Sequence, residues 1–260
     1  MSNQNIQLAV ITGACGGIGS AYAQQLAGSG YDLLLIDRNT SQLAELANSL
    51  NITYGISPKT IAADFGDATA VDALALSLAK LEHITMFINT AGFSENTLFE
   101  DEKMDFIMTM INVHIIAMIK LTHAVLPGML KQKNGAIITV SSLSAFLPAP
   151  KSSIYSATKA FINNFMTSLH TEVSGKGIHV QALCPGLTHT NFHIAKNNRR
   201  FSKHFFINPW MEPEDVVKIS LKKLNSNTVI CIPGFLNKFL RMASTLAPRK
   251  FYYQIAIKQA

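Results

Sequence analysis

In the stretch YSATK, residues 155–159, a tyrosine and a lysine stand four apart with only small residues between them. On a helix, positions i and i+4 share one face, a turn apart. The phenol of Tyr155 and the ammonium of Lys159 would then occupy one site, where a nearby cation favours the phenolate. The chemistry on offer is proton transfer by a tyrosine whose pKa is drawn down. A surface tyrosine beside a solvated lysine fits the same five residues, so the surrounding elements must decide.

A second chemical stretch is TGACGGIG, Thr12 to Gly19. Gly13, Gly17 and Gly19 form G-x-x-x-G-x-G, and Gly16 adds a fourth glycine. Cys15 and Ile18 fill the remaining positions that face a ligand lying on the loop. Such glycines allow a tight turn, close approach of backbone to a pyrophosphate, and close helix–strand packing. A helix starting behind them offers free N–H groups and a partial positive charge. Asp37 follows at the end of the next apolar run, where a carboxylate can accept from the adenosine ribose hydroxyls. It would repel a 2′-phosphate, which favours NAD(H). Arg38 follows directly and can stack on adenine or pair with a 2′-phosphate, which keeps NADP(H) open. NAD(H) is favoured, because the carboxylate sits at the strand end and the glycine loop carries no basic residue.

The elements that must position these groups can be read from alternation. Apolar runs at 7–12, 32–37, 59–64, 85–90, 135–142, 178–186 and 227–232 read as strands. Helical spacing fills 17–30, 40–50, 67–80, 104–130 and 153–174, with Pro127 expected to end or kink the long helix. Strands alternating with helices imply right-handed crossovers. The expected fold is a single doubly wound α/β domain of Rossmann type, a seven-stranded, mainly parallel sheet with helices on both faces. It spans 1–234, and 235–260 is a basic amphipathic C-terminal extension.

Composition narrows the function classes. The chain has 260 residues, 48% hydrophobic and 15% charged, enough apolar side chains for a core. Cys15, Cys184 and Cys231 are too few and too scattered for a disulfide framework or a zinc site, which implies a reducing, cytoplasmic setting. The N-terminus lacks the pattern of a signal peptide, and no uninterrupted apolar run is long enough to suggest a membrane span. The net charge of +6 is uneven: residues after Asp215 carry +8, and residues 1–215 carry −2. His189 and His193 stand four apart but in a segment expected to be loop, so no metal site is assigned. His170 reads as a satisfied helix residue, and His114 as pointing to an interface or solvent.

These motifs together resemble the short-chain dehydrogenase/reductase family, over roughly 7–232. The glycine loop matches T-G-x-x-x-G-x-G. NTAG, residues 89–92, is similar to the family's N-N-A-G, with Thr90 in place of the second asparagine; Asn89, Ala91 and Gly92 keep the pattern. Asp64 matches the adenine-contacting aspartate, and Phe65 follows it. CPGLTHT, residues 184–190, resembles the P-G segment that holds the nicotinamide carboxamide, through Pro185, Gly186, Thr188 and Thr190. YSATK resembles Y-x-x-x-K, Ser142 lies 13 residues before Tyr155, and Asn112 matches the family's catalytic asparagine.

The resemblance implies a tetrad of Asn112, Ser142, Tyr155 and Lys159 and reversible hydride transfer between nicotinamide and a lipophilic alcohol/ketone pair, hydroxysteroid-like or 3-oxoacyl-like. Tyr155 would act as acid/base, Lys159 would lower its pKa and bind the nicotinamide ribose, Ser142 would hold the substrate oxygen, and Asn112 would fix a water. It also implies a homodimer or homotetramer through the long helices. Residues 191–212 fall where the family places a substrate lid. A non-catalytic NAD(P)-sensing protein on the same fold is the alternative. No nucleic-acid partner is indicated. The stripe Phe235, Phe239, Met242 and Leu246, with Lys238 and Arg241 off it, suits pocket cover, a neighbouring subunit, or peripheral contact with an anionic membrane.

Overall fold

The computed structural model of the chain describes residues 7–94, 96–190 and 210–246. The order is β1 (Leu8–Thr12), α1 (Gly17–Gly28), β2 (Asp32–Asp37), α2 (Thr40–Tyr54), β3 (Lys59–Ala62), α3 (Ala68–Ala79) and β4 (Ile84–Asn89). There follow α4 (Met104–Ile111), a π-helical turn at Asn112–Ile116, and α5 (Ala117–Gln132). The described chain then runs through β5 (Gly135–Val140), α6 (Ser153–Val173), β6 (Ile178–Leu183), α7 (Pro213–Leu224), β7 (Ile230–Cys231) and α8 (Phe235–Leu246).

The sheet has seven strands, ordered β3-β2-β1-β4-β5-β6-β7, and every pair is parallel. Because successive side chains alternate, each strand feeds two cores. Val10, Leu34, Ile36, Phe87, Ile137 and Val180 pack on the side of α3, α5 and α6. Ala9, Ile11, Leu33, Leu35, Ile88 and Ile138 pack on the side of α1, α2 and α7. Each fully buried Leu, Ile or Met contributes about 1.5–3 kcal/mol. The order reverses at β1, which pairs with β2 on one side and β4 on the other. Ligands of open α/β sheets bind beyond the carboxyl ends of strands at such a reversal.

Several local expectations are corrected. Pro127 neither ends the long helix nor breaks it; α5 runs on to Gln132. Pro127 and His123 both lie on the exposed face, so the carbonyl that loses its partner can bond water. The continuous segment Met104–Gln132 is long and apolar enough to cross a bilayer by length and composition, its most apolar 18-residue stretch having a mean hydropathy of 1.5. Counting uninterrupted apolar residues missed it, because His114, Lys120 and His123 interrupt the run. Here it is a core helix, with Met110, Met118, Leu121 and Met129 fully buried. The seventh strand shrinks to two residues, because the chain is still turning at Asn227, whose φ is 51°. Helix α7 was not anticipated, although Pro213 in its first turn, Glu214 and Asp215 beside it, and Lys222 and Lys223 at its end suit the helix dipole.

Candidate active site

Tyr155 and Lys159 lie one turn apart on α6, and both are buried. Lys159 Nζ is 5.5 Å from the centroid of the Tyr155 ring and donates to the Val140 carbonyl at 2.8 Å. The end of β5 thereby anchors the lysine. Ser142, two residues further on, is hydrogen-bonded to the Tyr155 phenol, and its Oγ accepts from Ser144 N at 3.1 Å. The adjacent Ser141 plays a different part, since its hydroxyl donates to the Lys159 carbonyl at 2.9 Å and clamps β5 to α6.

Burial pushes the Tyr155 phenol up to about 12, against the opposing effect of the Ser142 hydrogen bond. Burial pushes the Lys159 ammonium down to about 8. The expectation that Lys159 lowers the phenol's pKa is therefore corrected for the chain itself. Loss of solvation disfavours the charged form of each group and is the largest effect on both.

A cleft of about 550 Å³ opens at the carboxyl end of the sheet and joins this cluster to the glycine loop. Tyr155, Lys159 and Ser142 line it together with Gly16, Gly17, Ile18 and Gly19, and Pro185, Gly186, Thr188 and Thr190 line the opposite side. A second hollow of about 210 Å³ adjoins it and is lined by Gly13, Asp37, Asp64, Phe65, Ala91 and Gly92. Arg38 lines both.

The loop can only be built from glycine at two points. Gly13 takes φ +63°, and a Cβ there would stand 2.6 Å from Ala91 N. A Cβ at Gly19 would stand 2.2 Å from the Gly13 carbonyl oxygen. Helix α1 begins after Gly16 with no side-chain cap, so its first N–H groups are open to the cleft. Uncapped amides at a helix start beside a glycine cradle fit a pyrophosphate. Asp37 is held at the end of β2, accepting from Cys15 N at 3.1 Å and Asn39 N at 3.2 Å.

Three residues expected at the cofactor or catalytic site line neither hollow. Cys15 contributes its backbone N–H to Asp37, while burial pushes its thiol up to about 12. Asn89 is buried and accepts from the Thr12 hydroxyl at 2.7 Å, supporting the strand ends. Asn112 is half-buried at the start of the π turn, and its carbonyl accepts from Ala117 N.

Sequence reasoning missed other residues. Thr90 lines both hollows and donates to the carbonyls of Thr12 and Gly13, at 2.7 and 3.1 Å. The position that departs from the family's asparagine thus ties β4 to the glycine loop. Phe93, Ser94 and Asn96 also line the cleft, as a continuation of the NTAG segment. His114 faces neither solvent nor an interface: it is buried beside Tyr155, with ring centroids 5.9 Å apart. The widened π turn places it inward, which a simple helical count from Asn112 did not show. His170 is not fully satisfied, since its Nδ1 is buried without a hydrogen-bond partner.

Of the expected lid, residues 191–209 lie outside the described residues, and with them Phe192, His193 and the three other phenylalanines of that stretch. Its two ends are adjacent. His189 N donates to Met211 O and Met211 N to Leu187 O, each at 3.0 Å. Trp210 stacks on His189 at 4.8 Å. Among the described residues, no group of three His, Cys, Asp or Glu side chains is placed to hold a metal.

Comparison with known proteins agrees with this geometry. Residues 7–200 match the short chain dehydrogenase family. The very-long-chain 3-oxoacyl-CoA reductase of Anas platyrhynchos is 36% identical over 230 residues, 86% of this chain and 72% of that protein. The enzyme of the same name from Mus musculus is 33% identical over 252 residues, 95% of this chain and 77% of its own. Among solved structures, the short-chain dehydrogenase from Sphingobium yanoikuyae in complex with NADPH superposes with a TM-score of 0.82 at 30% identity, covering 88% of this chain and 89% of that one.

Proposed function

The chain belongs to the short chain dehydrogenase family and is an NAD(P)-dependent oxidoreductase, and from that premise we propose that it reduces the ketone of a lipophilic 3-oxoacyl thioester to the alcohol. The observation that carries this reading is that one cleft joins Ser142, Tyr155 and Lys159 to the glycine loop and the Pro185–Gly186 segment. The names of the relatives point to the 3-oxoacyl substrate rather than a hydroxysteroid.

The nicotinamide supplies the hydride when bound, and the protein orients the reactants and manages one proton. The Ser142 hydroxyl donates to the substrate's ketone oxygen and holds it beside the phenol. Tyr155 delivers its proton to that oxygen, and its high pKa keeps the phenol loaded near neutrality. Lys159, charged below about 8, stabilises the phenolate left behind. Asn112 completes the set through the π turn, where its carbonyl's second lone pair can take a water on the way to Lys159.

NAD(H) is the favoured cofactor, on the position of Asp37, with Arg38 as the residue that would admit NADP(H). The catalytic domain spans 1–234, with a lid at about 191–212. The protein works in the cytoplasm as a homodimer or homotetramer. Exposed Met104, Met108 and Ile116 on the long helix, and Phe161 on α6, support association. The exposed apolar stripe of α8 suits pocket cover or a neighbouring subunit, and equally peripheral contact with an anionic membrane surface.

The test is NADH- and NADPH-dependent reduction of long-chain 3-oxoacyl-CoA by wild type and Tyr155→Phe. The variant should lose about 10²–10⁴-fold in kcat while binding cofactor normally. Equal turnover by both proteins would end the proposal.

A further inference from the structure

His114 is buried at 2% exposure, between the floor of the cofactor cleft and the helix that carries Tyr155. Its hydrogen bonds have only one consistent direction. The backbone N–H of Phe93 donates to Nε2 at 3.1 Å, so that nitrogen bears no proton. A neutral imidazole then carries its proton on Nδ1, which faces Thr158 Oγ1 at 2.9 Å and donates to it. Having accepted, the Thr158 hydroxyl donates to the Tyr155 carbonyl at 2.8 Å. A directed chain thus runs from Phe93, which lines both hollows, to the backbone of Tyr155.

The packing follows the same path. The His114 ring meets Phe93 edge to face at 5.6 Å and Tyr155 at 5.9 Å. Phe93 in turn meets Phe106 at 5.1 Å. His114 Nε2 lies 3.0 Å from where a Cβ on Gly92 would stand, and Lys159 Nζ lies 3.7 Å from the same point. Burial, and then the Lys159 charge, holds the imidazole well below its ordinary pKa. A protonated ring would set a donor against the Phe93 N–H and place a second cation beside Lys159.

Resting on the reading of Tyr155 as the proton donor, we propose that His114 is a positioning residue: its neutral ring fixes Tyr155 relative to the Gly92–Phe93 floor. It touches neither reacting atom. A placement error of about an ångström in a reacting group can cost about a hundredfold, whereas one hydrogen bond is worth about tenfold.

Four measurements test this. In wild type, imidazole nitrogen NMR should show His114 as the Nδ1–H tautomer; the Nε2–H tautomer would overturn the chain. His114→Phe keeps a ring for packing but removes both hydrogen bonds. It should lower kcat roughly tenfold or more, with cofactor affinity and KM within about twofold. His114→Gln, whose Oε1 can still accept from Phe93, should recover part of the loss. Adding Thr158→Val to His114→Phe should cost less than Thr158→Val costs alone, because the His114 end of the link is already gone. An unchanged kcat in His114→Phe, or strictly additive losses, would overturn the proposal. Loss of activity in Tyr155→Phe beside full kcat in His114→Phe would separate its failure from failure of the proposed reaction.

Discussion

The Lys159 ammonium nitrogen stands 5.5 Å from the centroid of the Tyr155 ring, and burial moves the two groups in opposite directions: the phenol up to about 12, the amine down to about 8. Both shifts favour the uncharged form. The phenol is therefore a loaded proton donor near neutrality, whereas Lys159 is charged only below about 8. Reduction leaves a phenolate that needs this charge. The reductive kcat should thus hold below that point and fall as pH rises through about 8. A pH–rate profile with saturating substrate reads this directly, and a rate that stays level up to about the free tyrosine pKa of 10 would contradict it.

Asp37 closes β2 with its two carboxylate oxygens on the amides of Cys15 and Asn39, at 3.1 and 3.2 Å. It lines the second hollow with Arg38 beside it. Asp37→Ala should weaken NADH binding by about tenfold or more, the worth of a charge-assisted hydrogen bond. NADPH binding should improve, as a carboxylate no longer opposes a 2′-phosphate. Quenching of Trp210, the single tryptophan, follows both titrations. Tighter NADPH binding by the wild type would assign the preference to Arg38 instead.

Period and punctuation made the fold legible. The apolar runs at 32–37 and 135–142 became β2 and β5 because strands buried on both faces read as continuous apolar stretches. Gly13 to Gly19 were legible because their spacing carries a mechanism. What stayed hidden depends on three-dimensional neighbours. Thr90 looks like a loss on paper, yet its hydroxyl reaches the Thr12 and Gly13 carbonyls, 78 and 77 residues away. His114 could not be placed without the π turn, which shifts the helix face by a residue. The raised Tyr155 pKa escaped for a similar reason: sequence shows the neighbouring charge but not the missing water.

Gly19 gives the glycine loop a steric test. A Cβ there would lie 2.2 Å from the Gly13 carbonyl oxygen, a backbone atom that cannot swing aside. Gly19→Ala should displace the loop, abolish measurable cofactor binding and lower the unfolding temperature. Gly128 is the matched control, since nothing lies within 4 Å of its Cβ position on α5. Gly128→Ala should bind cofactor normally and gain about 0.5–1 kcal/mol from helix propensity. Normal binding by Gly19→Ala would show that the loop is not the cradle.

Helix α8 presents Phe235, Phe239, Met242 and Leu246 to solvent, at 87%, 50%, 50% and 76% exposure. It is fastened through Asn237, which is buried against Gly186 and donates to the Pro233 carbonyl at 2.8 Å. Arg241 lies over the Phe146 ring at 5.4 Å. The helix is thus attached to the cofactor segment on one side and bare on the other. Residues after Asp215 carry +8, so an anionic bilayer would gain both apolar burial and charge pairing. Truncation at 234 would remove Asn237 and disturb Gly186, so substitutions on the bare face are cleaner. Phe235→Ser with Phe239→Ser should leave reduction of a short soluble ketone intact and release the protein from anionic liposomes in flotation. High salt should weaken wild-type binding, and neutral liposomes should capture less. Equal flotation of wild type and the double variant would remove the membrane role and leave the stripe to a neighbouring subunit, which a change in oligomer size of the same variant would reveal.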